Sequence, residues 1–234
     1  MRRGLATLAV GLVCACAGAP PAPGPGRSGA WGYLKLVPRE GVDAVVSQPH
    51  AYGDRRLEGV AWVDYSKPGF AVVYAEGAPP PSHERAALAI QTSASGTHLE
   101  PADAALGVGG ELVVENRSGA ARLVSVPGGG VVRRLAPGES LAVPVATAGE
   151  WPVFLLDVPG EKALVFAAPG RYAVVSETGR FALGDLTPGR CRLHAWHPRF
   201  PSAATWVELV PDKFSRIDFE LRVDRREAGV ADAP

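Results

Sequence analysis

Three side chains near the C-terminus carry the most suggestive chemistry in the chain: a thiol, Cys191, and two imidazoles, His194 and His197. Such donors hold zinc or copper when they converge on one point. Their spacing works against a local chelate. On an extended strand Cys191 and His194 point to opposite faces, and Cys191 and His197 stand about 20 Å apart at roughly 3.3 Å per residue. A shared ion would need further ligands from His50, His83 or His98. The expectation is therefore no metal site, with structural or surface roles for the histidines. Another fragment, His83-Glu84, opens like a zinc-protease motif, but Ala87 stands where the second His is required one helical turn on. No Gly-x-Ser-x-Gly elbow, phosphate-binding loop or Cys-x-x-Cys pair occurs, so nucleophilic, nucleotide and dithiol chemistry has no handle. Carboxylates are scattered, and motif alone leaves a glycosidase open. The expected catalytic residues and cofactors are none.

The two remaining cysteines lie at the other end of the chain. Arg2 and Arg3 form a positive n-region, and Leu5 to Val13 an apolar stretch too short to span a bilayer. Val13-Cys14-Ala15-Cys16 resembles a bacterial lipobox, with Ala15 as the small residue before the Cys that receives lipid. Cys16 is the expected lipidation site, after removal of a signal peptide over residues 1–15. Simple secretion after a small-residue cleavage is the alternative. Cleavage would leave Cys16 and Cys191 as the only thiols, so no intrachain disulfide framework is expected. Residues 16–30 are rich in Pro, Gly and Ala and read as a tether. The expected location is the bacterial cell envelope, facing the periplasm or the exterior, with the membrane engaged through the lipid.

The 24 basic and 24 acidic residues cancel, which argues against nucleic acid as a partner. With 47% hydrophobic and 21% charged residues the chain can bury a sizeable core. Short β-rich runs recur between Gly and Pro punctuation, as at Pro137-Gly138, Pro159-Gly160, Pro169-Gly170 and Pro188-Gly189, and no window shows helical spacing. The fold class is all-β. Expected strands are 31–37, 59–63, 70–75, 86–91, 111–115, 121–126, 131–135, 140–146, 151–156, 163–167, 172–176, 179–183, 190–197, 205–210 and 213–223. A short helical turn capped by Ser82 and running to Leu88 is an alternative to the strand at 86–91.

Alternation is clearest in the last two segments. Ser215, Ile217, Phe219, Leu221 and Val223 share one face, with Arg216, Asp218, Glu220 and Arg222 on the other. In 190–197 the face carrying Cys191, Leu193 and Ala195 is expected in the core, which makes Cys191 a small buried hydrophobe. His194, Trp196 and His197, near the strand end, form the candidate recognition surface. Asn116-Arg117-Ser118 matches a glycosylation acceptor, but the bacterial signal makes it a turn.

Gly179-Arg180-Phe181, Pro188-Gly189 and the strand ending His194-Ala195-Trp196-His197-Pro198 resemble carboxypeptidase regulatory-like domains, which are transthyretin-like sandwiches. Cys191 stands where that family more often has Tyr. The closing Trp-His-Pro is also similar to that of exported plastocyanin-like or methylamine-utilisation-type proteins, in which a cupredoxin-like domain precedes such a sandwich. Gly107 to Asn116 and Pro137-Gly138-Glu139-Ser140 resemble that domain's turn, Asn-ended strand and next hairpin. The resemblance implies copper ligands, a His after the Asn strand and a Cys and a His within 154–162. Neither segment supplies them: 116–126 has no His, and 154–162 has neither Cys nor His. Leu155, Leu156 and Val158 are expected to serve as core instead.

These readings give two β-sandwich units: residues 31–167 cupredoxin-like with its copper ligands lost, residues 170–223 carboxypeptidase regulatory-like, and a polar tail over 224–234. The second unit offers only five strands, few for independent folding, and strands shared with 31–75 would complete it. The expected function is a non-catalytic envelope lipoprotein that binds a protein or glycan partner. The alternatives are an exported copper-binding or electron-transfer protein and a carbohydrate-binding or carbohydrate-active module.

Overall fold

A computed structural model describes residues 23–38 and 64–222. The signal peptide, Cys16, His50, the strand expected at 59–63 and the 224–234 tail lie outside the described residues. Among those described, the structure is all-β, with one 3-10 turn at Pro127–Gly129. The strands β1 (Ser28–Val37) and β2 (Val72–Ala75) come first. They are followed by β3 (Arg85–Ser93), β4 (Gly96–Glu100), β5 (Asp103–Gly107), β6 (Glu111–Asn116), β7 (Arg122–Val126), β8 (Val131–Leu135), β9 (Ser140–Pro144), β10 (Gly149–Leu155) and β11 (Lys162–Ala168). The chain closes with β12 (Tyr172–Val174), β13 (Arg180–Leu186), β14 (Gly189–His197), β15 (Phe200–Leu209), β16 (Phe214–Arg216) and β17 (Phe219–Arg222).

Strands β3 to β11 build one sandwich. Its sheets run β4-β3-β6-β9 and β5-β11-β10-β7-β8. Between them lie Leu88, Ile90, Leu112, Val114, Val124, Val126, Trp151, Val153, Leu155 and Val165. The period-2 alternation puts every second residue of β6 and β10 inside, and each large apolar side chain so buried stabilises by roughly 1.5–3 kcal/mol. Trp151 keeps its one polar atom satisfied, because Nε1 donates to the Thr147 carbonyl at 2.9 Å.

The remaining strands form a second sandwich that the first one interrupts. Its sheets run β12-β2-β14-β15 and β13-β1-β16, with β17 also on β1. The core is made by Leu34, Leu36, Val73, Phe181, Leu183, Leu193, Leu209, Phe219 and Leu221. Residues 31–37 and 71–75 therefore belong to the sheets of the 172–222 sandwich, although Val72 and Tyr74 also touch Phe166 of the other one. The expected unit over 31–167 is split, because β1 and β2 pair edge to edge with β13 and β14.

Three local differences have physical causes. The tether expected to run to residue 30 ends earlier: Ser28 and Ala30 are fully buried, and Ser28 Oγ donates to the Leu186 carbonyl at 3.1 Å. The segment 82–88 contains the start of β3 and no helix, with Arg85 to Ile90 parallel to β6. The last segment breaks into β16 and β17, because Ile217 N–H turns to the Trp31 carbonyl and the Asp218 carboxylate takes the Tyr33 N–H at 2.9 Å. Gly32 permits that crossing: a Cβ there would lie 1.6 Å from the Ile217 carbonyl oxygen. Phe219 and Leu221 point inward as the alternation requires.

The sandwiches meet through a small apolar layer of Val72, Phe166 and Ala168, with Phe70, Tyr74, Ala105, Tyr172 and Trp196 packed on it. A polar clasp sits beside it. The Tyr172 hydroxyl donates to Glu84 at 3.0 Å, and Glu84 also accepts the Gly107 N–H at 2.7 Å. Burial, and then the Glu84 carboxylate, push the Tyr172 phenol far above its ordinary range.

Candidate binding cleft at the junction of the sandwiches

The alternation of β14 sends Trp196 and His197 to opposite sides. Trp196 enters the junction, where its ring stacks on Phe166 at 4.0 Å between centroids and meets the edge of Phe70 at 5.8 Å. His197 is only 7% exposed. Its Nε2 lies 2.9 Å from the Pro68 carbonyl and its Nδ1 accepts the Arg199 N–H at 3.0 Å. That pair of partners fixes the neutral tautomer with the proton on Nε2. Burial is the main reason its pKa is lowered; the Pro68 carbonyl opposes this and the Arg199 charge adds to it. His194 shares the Trp196 face, stacks on Tyr74 at 4.9 Å and bonds Glu76 at 2.8 Å. The three residues expected to form one recognition surface are thus divided. Trp196 and His197 are used in packing, and His194, partly buried like Trp196, is held by Tyr74 and Glu76.

Cys191 stays on the side of Leu193 and Ala195, but it is half-buried at the margin of the core rather than within it. Burial, and then the Glu76 charge, raise its thiol pKa, which disfavours the reactive thiolate. Among the described residues no three His, Cys, Asp or Glu side chains group closely enough to hold a metal ion.

Beside Trp196 and His197 the two sandwiches leave an open cleft of about 720 Å³. One wall comes from the second sandwich and its loops: Leu36, Pro68, Phe70, His197 and Arg199. The other comes from β5, β10 and β11: Asp103, Glu150, Pro152, Phe154, Lys162 and Leu164. The middle is apolar and the rim carries both signs of charge. Asp64, also on the rim, is committed to its own turn, where Ser66 N–H donates to it at 2.9 Å; the two Ser66 bonds hold its carboxyl below the ordinary value. Asp103 is different, because burial raises its pKa against the pull of Arg199. No Ser, Thr or Cys is among the described residues lining the cleft. An apolar-walled cleft with a few polar groups, lying between domains, suits orientation of a bound ligand.

The loop end of the inserted sandwich is where the sequence resemblance would put copper. Asn116 there is fully buried and saturated: its amide donates to the Ala120 and Leu135 carbonyls, and its oxygen accepts from the Ser118 N–H and hydroxyl. Next to it Arg122 bonds Thr97 at 2.9 Å, Ser118 at 3.3 Å and Asp157 at 3.4 Å. Burial alone would raise the Asp157 pKa, but backbone N–H groups and Arg122 bring it below the ordinary value. A guanidinium has no lone pair to give and repels a cation. These residues do not fit copper. Leu155 is buried as expected, whereas Leu156 is 54% exposed; β10 alternates with Leu155 inside, so the next side chain must point out.

No protein-family model matches the chain, and no curated protein matches it. Among solved structures, part of the chain is similar to cupredoxins. A purple cupredoxin from Nitrosopumilus maritimus shares 15% identity over 36% of this chain and 99% of that chain, with a TM-score of 0.30. A copper(I) amicyanin variant shares 12% identity over 41% of this chain and 98% of that chain, again at 0.30. A multicopper oxidase shares 12% identity over 57% of this chain and 88% of that chain, at 0.26.

The cleft and the Arg122 cluster were not legible as sites in the sequence. Arg122 sits 25 residues from Thr97 and 35 from Asp157, and only strand pairing brings them together. One sequence signal pointed to the cleft: Trp196-His197-Pro198 lies at its edge, with His197 and Pro198 in its wall.

Proposed function

We propose that the chain is a non-catalytic binding module of the bacterial cell envelope, held at the membrane by lipid on Cys16, with the junction cleft receiving a protein or glycan ligand. Residues 85–168 serve as a cupredoxin-like scaffold without copper, and the surrounding sandwich as a carboxypeptidase regulatory-like unit. The observation that carries this reading is the cleft itself, about 720 Å³ with apolar walls and a mixed-charge rim. Its imidazole, His197, has both nitrogens occupied, so it is poorly placed to act as a general base. Anchoring rests on Val13-Cys14-Ala15-Cys16 and the Pro/Gly/Ala run after it.

Fractionation of cells expressing the full chain tests the anchor: the wild type should sediment with membranes and incorporate labelled fatty acid, and Cys16→Ser should do neither. Screening the purified protein on glycan and peptide arrays tests the binding. A retained ligand should protect residues 67–70, 102–103 and 197–199 from hydrogen exchange and be recovered unchanged. Chemical conversion of the ligand, or protection elsewhere alone, would contradict the assignment of the cleft.

A further inference from the structure

The outer face of the β12-β2-β14-β15 sheet has two halves. Phe166 and its neighbours cover the half around Tyr74, Tyr172 and Trp196, but among the described residues no such cluster covers the half beyond His194. There Arg192 of β14 pairs across the sheet with Trp206 of β15, and Arg190 with Glu208. Trp206 is 55% exposed. The Arg190 guanidinium lies 4.5 Å from the indole centroid and that of Arg192 6.0 Å.

At the margin of this half-face, β2 leaves the sheet after Ala75, and a notch of about 390 Å³ opens between Glu76-Gly77-Ala78 and Leu186-Thr187-Pro188. Arg190, Cys191, Arg192 and Trp206 complete its lining. The volume is within the range of small-ligand sites, roughly 300–1,000 Å³. Two guanidinia face one carboxylate there, and that carboxylate, Glu76, is engaged by His194 at 2.8 Å and approached by Arg192 at 3.8 Å. The notch lining therefore carries two positive charges against one negative beside the indole, with Glu208 outside that lining, across the sheet from Arg190.

From this arrangement we infer that the Trp206 notch binds an acidic polysaccharide, a sugar chain bearing carboxylates. An indole face is electron-rich, and with Arg190 resting on one side of the ring the polarised C–H bonds of a pyranose would lie against the other. A guanidinium resting on that indole is already restrained and keeps its in-plane N–H groups for a bidentate bond to a carboxylate. A uronate residue offers both features on one ring. This site does not depend on the junction cleft, since residues 190 and 197 lie at opposite ends of β14, about 23 Å apart at roughly 3.3 Å per residue.

The test uses the full mature chain and polygalacturonate as the probe, with its methyl ester and poly-glutamate as controls, followed by affinity electrophoresis and hydrogen exchange. Polygalacturonate should retard the protein and protect residues 186–192 and 204–208, and retardation should weaken with added salt. Trp206→Ala and the double variant Arg190→Gln/Arg192→Gln should each reduce affinity at least tenfold, and the methyl ester should bind as weakly as these variants. Trp206→Phe and single Arg190→Gln give intermediate losses should either main variant fail to fold. Absence of retardation, equal binding of poly-glutamate, unchanged affinity in Trp206→Ala, or protection confined to 67–70, 102–103 and 197–199 would overturn the inference, the last while supporting the junction cleft.

Discussion

Trp196 and Trp206 stand on adjacent strands and point from the same face of one sheet, yet they have opposite fates. The inserted sandwich places Phe166 against Trp196, with Phe70 closing the edge. Trp206 receives two arginines and remains more than half exposed. Residue type and strand periodicity are the same for both. What separates them is coverage by a second unit, a long-range fact that alternation along one strand does not encode. One tryptophan is structural glue and the other is left for recognition.

The largest effect expected from breaking this comparison is on stability. Trp196→Ala removes the ring that joins the sandwiches and should destabilise the protein by about 3 kcal/mol in urea unfolding. Trp206→Ala should stay within about 0.5 kcal/mol of wild type, as surface substitutions do. Equal losses would mean that the two rings play the same role.

A smaller effect belongs to His197, the neighbour of Trp196 that points to the other side of the sheet. Burial first, and then Arg199, keep His197 neutral by lowering its pKa from 6.5, so the unfolded chain binds the extra proton more readily. Stability from this group is full above pH 6.5 and declines as pH falls below it. His197→Gln should shrink the difference in urea midpoint between pH 7 and pH 5. An unchanged difference in His197→Gln would show that the acid sensitivity lies elsewhere.

The all-β class and the two faces of 190–197 were legible because period-2 alternation and Pro-Gly turns are local signals. Strands β4 and β5 were not expected. Gly96-Thr97-His98-Leu99-Glu100 is mostly polar, and Asp103-Ala104-Ala105-Leu106-Gly107 has weak strand propensity; they are held by pairing with β3 and β11. The first half of β15 was missed for a similar reason, since Pro201-Ser202 reads as a break while Phe200 is in fact paired with His197. Domain order was the harder problem. Only contacts between segments distant in sequence reveal that β1 and β2 belong with β13 and β14, although the shortage of strands in 170–223 hinted at it. The absence of a Cys and His pair in 154–162 was readable directly, but the guanidinium at the loop end was not, because Arg122 meets Asp157 only in the folded sandwich.

The reading of this protein as a binding module rather than a copper protein is tested most directly by metal analysis of the purified mature chain. After exposure to Cu(II) and dialysis against a chelator it should retain no stoichiometric copper, show no intense thiolate band in the visible range, and melt at the same temperature as before, because a ligand bound only by the native state must raise it. Stoichiometric copper that survives dialysis and is lost in Cys191→Ser would contradict that reading, together with the placement of Cys191 and His197 at opposite ends of β14.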